Sequence, residues 1–253
     1  MDRSVLAVIP ARYASTRLPG KAIMPLAGKP LVQHTYERTC RASLVHQAVV
    51  ATDDERVAQA LAPYGTPVVM TDPNHPTGTD RIAEVARQRD EALIVNVQGD
   101  EPLIDPATID NAIRPLLERP DVVMSTAKHR IARPEDALNP NIVKVVCDAT
   151  GLALYFSRAP IPHVRDATPG APGQQVYWQH IGLYVYRRDF LLQYPALPQT
   201  PLEQLEKLEQ LRALENGYKI VVVETEYKSI GVDVLADYEH VQKLLEGDLS
   251  VGA

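Results

Sequence analysis

Between Val5 and Arg119 the chain alternates four times between a short apolar run and a helix-like stretch, and few folds accommodate that pattern. Val5–Ile9, Ala48–Ala51, Pro67–Met70 and Leu93–Val97 are too short for helices. Their apolar, β-branched character suits strands buried on both faces. Helices are expected over Pro30–Arg41, from a start at Thr52-Asp53-Asp54-Glu55, from a cap at Thr79 or Asp80 to about Arg89, and from Asp105-Pro106 to Arg119. Proline in a first turn and acids beside the helix start both fit helix N-termini. The alternation predicts an α/β fold with a doubly wound, mainly parallel, Rossmann-like sheet.

The rhythm changes after that. Val122–Thr126, Ile142–Cys147, Ala153–Ser157 and Ile181–Tyr186 read as strands with little helix between them, and Asp148-Ala149-Thr150-Gly151 as a hairpin turn. Residues 159–175 are rich in proline and glycine and read as a lid-like loop. The region from about 122 to 190 is expected to be a mixed-sheet elaboration for substrate binding and dimerisation, within one domain spanning 1–253. Pro201–Asn216 is the strongest helix, closed by Gly217, with leucines at 202, 205, 208, 211 and 214 spread over a wide apolar arc. Glu209 lies on its partly buried flank and needs a partner there. A strand over Lys219–Val223 and a helix over Leu235–Leu245 complete the chain.

A parallel sheet binds ligands at the carboxyl ends of its strands. The loop leaving the first strand carries Arg12, Arg17 and Lys21, with Pro19 and Gly20 fixing a turn, which is a set of cations suited to a polyphosphate. It is not a Walker loop, because Ala22 follows Gly20-Lys21 and no glycine precedes at the required spacing. Asp100, at the end of the fourth strand, and Asp233, before the last helix, are candidate ligands for a hard divalent ion such as Mg²⁺. Either aspartate could equally be a turn or capping residue. Arg158 could grip a carboxylate, and His180 could serve the site or simply be bonded in place. Asn139-Pro140-Asn141 with Lys144 forms a polar cluster that periodicity does not interpret.

The net charge of −6 over 253 residues argues against a nucleic-acid binder that relies on a basic surface. Cys40 and Cys147 lie in no metal or redox spacing and fit a reduced cytoplasmic setting. With no signal-peptide pattern and no apolar run long enough for a membrane span, a soluble protein without membrane partners is expected.

The motifs together resemble one family. They are I-P-A-R-Y-A-S-T-R-L-P-G-K from Ile9, G-T-D-R from Gly78, N-V-Q-G-D-E-P from Asn96, N-P-N-I-V-K-V-V from Asn139, A-L-Y-F-S-R-A-P-I-P from Ala153, H-I-G-L-Y-V-Y-R from His180, L-E-K-L-E-Q-L-R from Leu205 and G-V-D from Gly231. In that order, over nearly the whole chain, they resemble the 3-deoxy-manno-octulosonate (Kdo) cytidylyltransferases. The resemblance implies a glycosyltransferase-A-like nucleotidyltransferase sheet, CTP and Kdo as substrates, Mg²⁺ as cofactor, and a homodimer supplying CMP-Kdo for lipopolysaccharide. It implies catalytic roles for Arg12, Lys21, Asp100 and Asp233, the two aspartates holding the metal. CTP would be bound by Arg12, Ser15, Arg17, Lys21, Gly78 and Arg81, and the sugar by Gln98, Arg158, His180, Tyr184, Glu209 and Gln210. Two alternatives stand beside it: a cytidylyltransferase for another acidic sugar, such as 8-amino-Kdo or a sialic acid, and an idle nucleotide-sugar binder. Mere binding has no need of Lys21, Asp100 and Asp233 together.

Overall fold

In the computed structural model, which describes residues 3–14, 18–165, 177–228 and 230–251, the first apolar run becomes β1 (Val5–Pro10). A two-stranded ribbon follows, β2 (Pro25–Leu26) and β3 (Lys29–Pro30), then α1 (Leu31–Thr39), β4 (Gln47–Thr52), α2 (Glu55–Leu61), β5 (Val68–Met70), α3 (Gly78–Arg87), β6 (Leu93–Asn96) and α4 (Pro106–Glu118). The second half contributes β7 (Met124–Arg130), β8 (Lys144–Cys147), β9 (Ala153–Ser157), β10 (Trp178–Arg187), α5 (Arg188–Gln193), α6 (Pro201–Glu206), α7 (Gln210–Glu215), β11 (Ile220–Glu224) and α8 (Leu235–Val251).

Among the described residues the main sheet runs β11-β7-β10-β6-β1-β4-β5, with β8 on β10 and β9 on β8. β6, β1, β4 and β5 are mutually parallel, as the alternation predicts. β10 is antiparallel to both β6 and β7, so strands from the second half enter the same sheet. Val5 to Ile9 are wholly buried, and their side chains divide between two cores. Val5, Ala7 and Ile9 face one cluster, while Leu6 and Val8 face the other. That two-sided burial explains the unbroken apolar run. The chain steps from β1 to β4 on one side and later to β6 on the other, so the crevice at the ends of β1 and β6 is where such a sheet takes a ligand.

Several boundaries differ from the sequence reading. The cap of α3 is Thr77 rather than Thr79 or Asp80; it accepts from the Asp80 N–H, and Asp80 returns the bond in a capping box. Helix α5 was not anticipated, and α8 runs on to Val251. The expected lid falls partly on residues 166–176, outside the described residues.

The largest correction concerns Pro201–Asn216, which is not one helix. It breaks at Lys207, in the left-handed region at φ 53°, into α6 and α7. Leu208 and Leu211 are buried, but Leu205 is 80% exposed, so the leucine arc does not pack on all sides. The reason is tertiary. Arg158 donates to the carbonyls of Glu206 and Lys207, which the interrupted helix leaves open.

Candidate active site

Two adjoining cavities occupy the carboxyl edge of the sheet. The first, about 210 Å³, is lined by Pro10, Arg12, Lys21, Gln98, Gly99 and Asp100, among others. It exists because the loops after β1 and β6 press together: a Cβ on Gly99 would stand 2.6 Å from the Pro10 carbonyl oxygen, so only glycine fits there. The Gly20 N–H donates to the Tyr13 carbonyl at 2.9 Å, closing the loop that brings Lys21 back to the sheet. Arg12 is exposed and held by its own bond to the His75 carbonyl, 2.8 Å.

Asp100 and Asp233, far apart in sequence, meet at this cavity. The Lys21 ammonium lies 2.7 Å from Asp100 Oδ2 and 3.3 Å from Asp233 Oδ1. The Val232 N–H donates to the Asp100 carbonyl at 2.9 Å, so the main chain fixes the two together. Asp237 accepts from the N–H groups of Asp233 and Val234. Both aspartate side chains keep a third to a half of their surface open to solvent, while Lys21 is largely covered. Two half-open carboxylates converging on one cationic position form a hard-oxygen donor set, which fits Mg²⁺ with substrate or water completing its shell. Among the described residues no group of three or more His, Cys, Asp or Glu side chains that could hold a metal ion occurs.

The second cavity, about 260 Å³, shares Gln98 with the first and is lined also by Gly78, Asn96, Tyr184, Glu209 and Gln210. Two irregularities shape it. The pairing of β10 with β7 shifts register between Ile181 and Tyr184, which turns the Gly182 carbonyl toward Gln98 Nε2 at 3.0 Å. The break at Lys207 then aims Glu209 and Gln210 inward from the start of α7. Glu209 accepts from Thr79 Oγ1 at 2.7 Å, and burial holds its carboxyl above the ordinary glutamate value. Tyr184 donates to Gln210 Oε1 at 3.2 Å, and burial raises its phenol well above the usual range. Gln210 Nε2 is buried without a hydrogen-bond partner among the described residues, a donor a ligand could satisfy.

Of the residues anticipated from sequence, Arg12, Lys21, Gln98 and Asp100 line the first cavity. Gly78, Gln98, Tyr184, Glu209 and Gln210 line the second, and Asp233 joins them through Lys21. Three stand behind the walls. Arg81 is fully buried, bonded to Thr71 and 3.3 Å from Asp53. His180 packs against the rings of Phe156 and Tyr184 beside Thr126 Oγ1, and burial depresses it to about 3, so it is neutral. Arg158 spends Nε, Nη1 and Nη2 on the carbonyls of Glu206, Pro140 and Lys207. Ser15 and Arg17 lie outside the described residues. Sequence reasoning missed Thr79, Asn96, Gly182 and Lys207. Only Gly182 carried a signal, as a glycine inside a strand, where bulges occur.

What this arrangement can do follows from its parts. A cation-lined cavity can take a polyphosphate, paired carboxylates can take a metal, and a cavity lined by hydroxyl and amide groups can take a polyhydroxylated acceptor. Neither cysteine lines either cavity, so a direct displacement suits the inventory better than a thiol intermediate.

Residues 6–220 match the family model described as Cytidylyltransferase. The chain is 57% identical over 249 residues to the 3-deoxy-manno-octulosonate cytidylyltransferase of Geobacter sulfurreducens, covering 96% of this chain and all of that one. It is 54% identical over 252 residues to the enzyme of the same name from Solibacter usitatus, covering 100% of this chain and 98% of the relative. A solved CMP:2-keto-3-deoxy-manno-octonic acid synthetase complexed with CTP superposes at a TM-score of 0.91 with 41% identity, covering 97% and 99% of the two chains.

Proposed function

Because the chain belongs to the cytidylyltransferase family, within it to the 3-deoxy-manno-octulosonate cytidylyltransferases, we propose that its two joined cavities hold CTP and Kdo and that the reaction occurs where they meet, at Gln98. The enzyme transfers CMP from CTP to Kdo and releases pyrophosphate. The observation that carries the assignment of the site is the convergence of Asp100 and Asp233 on Lys21, which lines a cavity that shares Gln98 with the second one.

Arg12 and Lys21 neutralise the triphosphate; nucleotidyl transfer rests on positioning and charge more than on covalent chemistry. Asp100 and Asp233 would hold Mg²⁺. Once bound, that ion polarises the phosphate and favours ionisation of the attacking 2-hydroxyl. With CTP present, the Lys21 ammonium has phosphate oxygens as well as carboxylates for partners, so it can remain close to the transferring group. Glu209, Gln210 and Tyr184 meet the sugar hydroxyls, and the open Nε2 of Gln210 gains a partner when the sugar arrives. Gln98 is held by Asn96 Oδ1 and the Gly182 carbonyl and spans the line between the substrates. His180 and Arg81 shape the walls from behind. Arg158 reaches the sugar carboxylate by turning Nη1 away from the Pro140 carbonyl, while its Nε bond to the Glu206 carbonyl stays in place.

The product is the activated sugar for lipopolysaccharide, and the working protein is a cytoplasmic homodimer whose mixed-strand region, about 122–190, contributes to pairing. Among the described residues no helix is long and apolar enough to cross a membrane. The test is direct. Protein, CTP and Mg²⁺ are mixed with Kdo, 8-amino-Kdo or a sialic acid, and pyrophosphate is measured. Release with Kdo that greatly exceeds release with the other two supports the reading. Background release with all three sugars would dismiss it, and preference for another sugar would reassign the acceptor.

A further inference from the structure

Lys144 is wholly buried, yet it lines neither cavity and the chemistry above leaves it unused. Its Nζ donates to the carbonyls of Asn139 (3.0 Å), Ile142 (2.6 Å) and Arg158 (2.5 Å). Three donors meet three acceptors, which accounts for every N–H of the ammonium. Burial lowers its pKa, and the carboxylate of Glu206 opposes that shift. An apolar side chain would fill the same space without desolvating a charge, so packing alone does not explain a lysine here. The ammonium ties the turn before β8 to the end of β9.

From Arg158 the network continues toward the second cavity. Its N–H donates to Glu206 Oε2 at 2.9 Å, and its Nε donates to the Glu206 carbonyl at 2.7 Å. Ser157 Oγ donates to Glu206 Oε1 at 2.6 Å. Glu206 is the last residue of α6, and the four residues after it, Lys207 to Gln210, all line that cavity. Two of these bonds come from Arg158 and one from Ser157, and together they anchor Glu206 at the point where the helix breaks.

We propose that Lys144 is a positioning residue for the sugar half of the site: acting through Arg158 and Glu206, it sets the α6–α7 break and so the placement of Glu209 and Gln210. The inference rests on the reading of the second cavity as the sugar site. It makes no use of a direct contact between Lys144 and substrate.

Lys144→Met removes the ammonium and keeps much of the side-chain length. The expected result is a rise of about tenfold in KM for Kdo, with kcat and the KM for CTP within about twofold of wild type. Glu206→Gln weakens the next link and raises the Kdo KM by about threefold. If both act through one network, Lys144→Met/Glu206→Gln is no worse than Lys144→Met within about twofold, whereas independent effects would multiply to about thirtyfold. Multiplication, an unmoved Kdo KM, or equal losses toward both substrates would overturn the proposal. If Lys144→Met yields no folded protein, Glu206→Gln decides alone: a higher Kdo KM with CTP unaffected sustains the inference, and an unchanged one ends it. Wild-type protein that binds CTP but never uses Kdo would take down the sugar-site reading, and this inference with it.

Discussion

The two cavities that meet at Gln98 are built on opposite principles. The phosphate half is charged and partly open, and it stands on regular structure: the ends of two parallel strands, closed by a glycine that tolerates no side chain against Pro10. The proposed sugar half is lined mainly by uncharged polar groups, with Lys207 and Glu209 among them, and it stands on irregularity: a register shift in β10 and an interrupted helix. The difference teaches that charge for a reaction can be placed by topology alone, whereas selectivity for one polyol requires departures from regular geometry. If so, damage to the first half should cost turnover, and damage to the second should cost affinity for one substrate.

Asp100→Asn gives the largest effect. It should lose about 10²–10³-fold in turnover, about 3–4 kcal/mol, as when one preorganised electrostatic group is removed. Steady-state kinetics at saturating Mg²⁺ checks this, and a variant within threefold of wild type would break the contrast on the phosphate side. Glu209→Gln should instead raise the Kdo KM about tenfold with the CTP KM unmoved, since the proposed function places Glu209 against the sugar. It also has a signature in stability. Burial raises the Glu209 pKa above its unfolded value, so the protonated form is favoured in the fold. Its contribution is complete below the unfolded pKa and is lost as pH climbs through the raised one. The Tm of Glu209→Gln relative to wild type should therefore rise with pH, and a flat difference between pH 4 and 8 would contradict the burial argument.

Lys207→Gly sharpens the point about irregularity. A non-glycine residue at φ 53° carries strain, so glycine should raise stability by up to about 1 kcal/mol, or about 2–4 °C in Tm for a chain of this size. A loss of stability would mean that the lysine side chain contributes more than its backbone costs. His180 gives the smallest effect. Held near 3 by burial, it should show no titration of its ring resonances between pH 5 and 8 by NMR, and no limb of the activity profile should belong to it.

The same contrast explains how far the sequence could be read. β1, β4 and β6 announce themselves because strands buried on two faces must be apolar throughout, and Arg12, Lys21 and Asp100 follow because such strands end where ligands bind. Asp233 was a metal candidate from its place before the last helix, where capping was an equal reading; what the sequence does not show is the main-chain bond that ties it to Asp100. The helix over Pro201–Asn216 was misread because leucines stepping by three satisfy a helical pattern, while the interruption is imposed from outside by Arg158. Arg158 was read as a carboxylate ligand, and a sequence that shows an arginine at a strand end does not show the main-chain carbonyls its guanidinium also bonds. Lys144 could not be interpreted for a related reason: its partners are backbone oxygens, and those have no letter in a sequence.

The central claim is that Asp100 and Asp233 share one divalent ion beside the triphosphate. A crystal structure of the protein with CTP and Mn²⁺, examined by anomalous scattering, tests it in one measurement. The account predicts a peak bridging the two carboxylates, with Lys21 turned to phosphate oxygens. A peak elsewhere, or both carboxylates still paired only with Lys21, would contradict it.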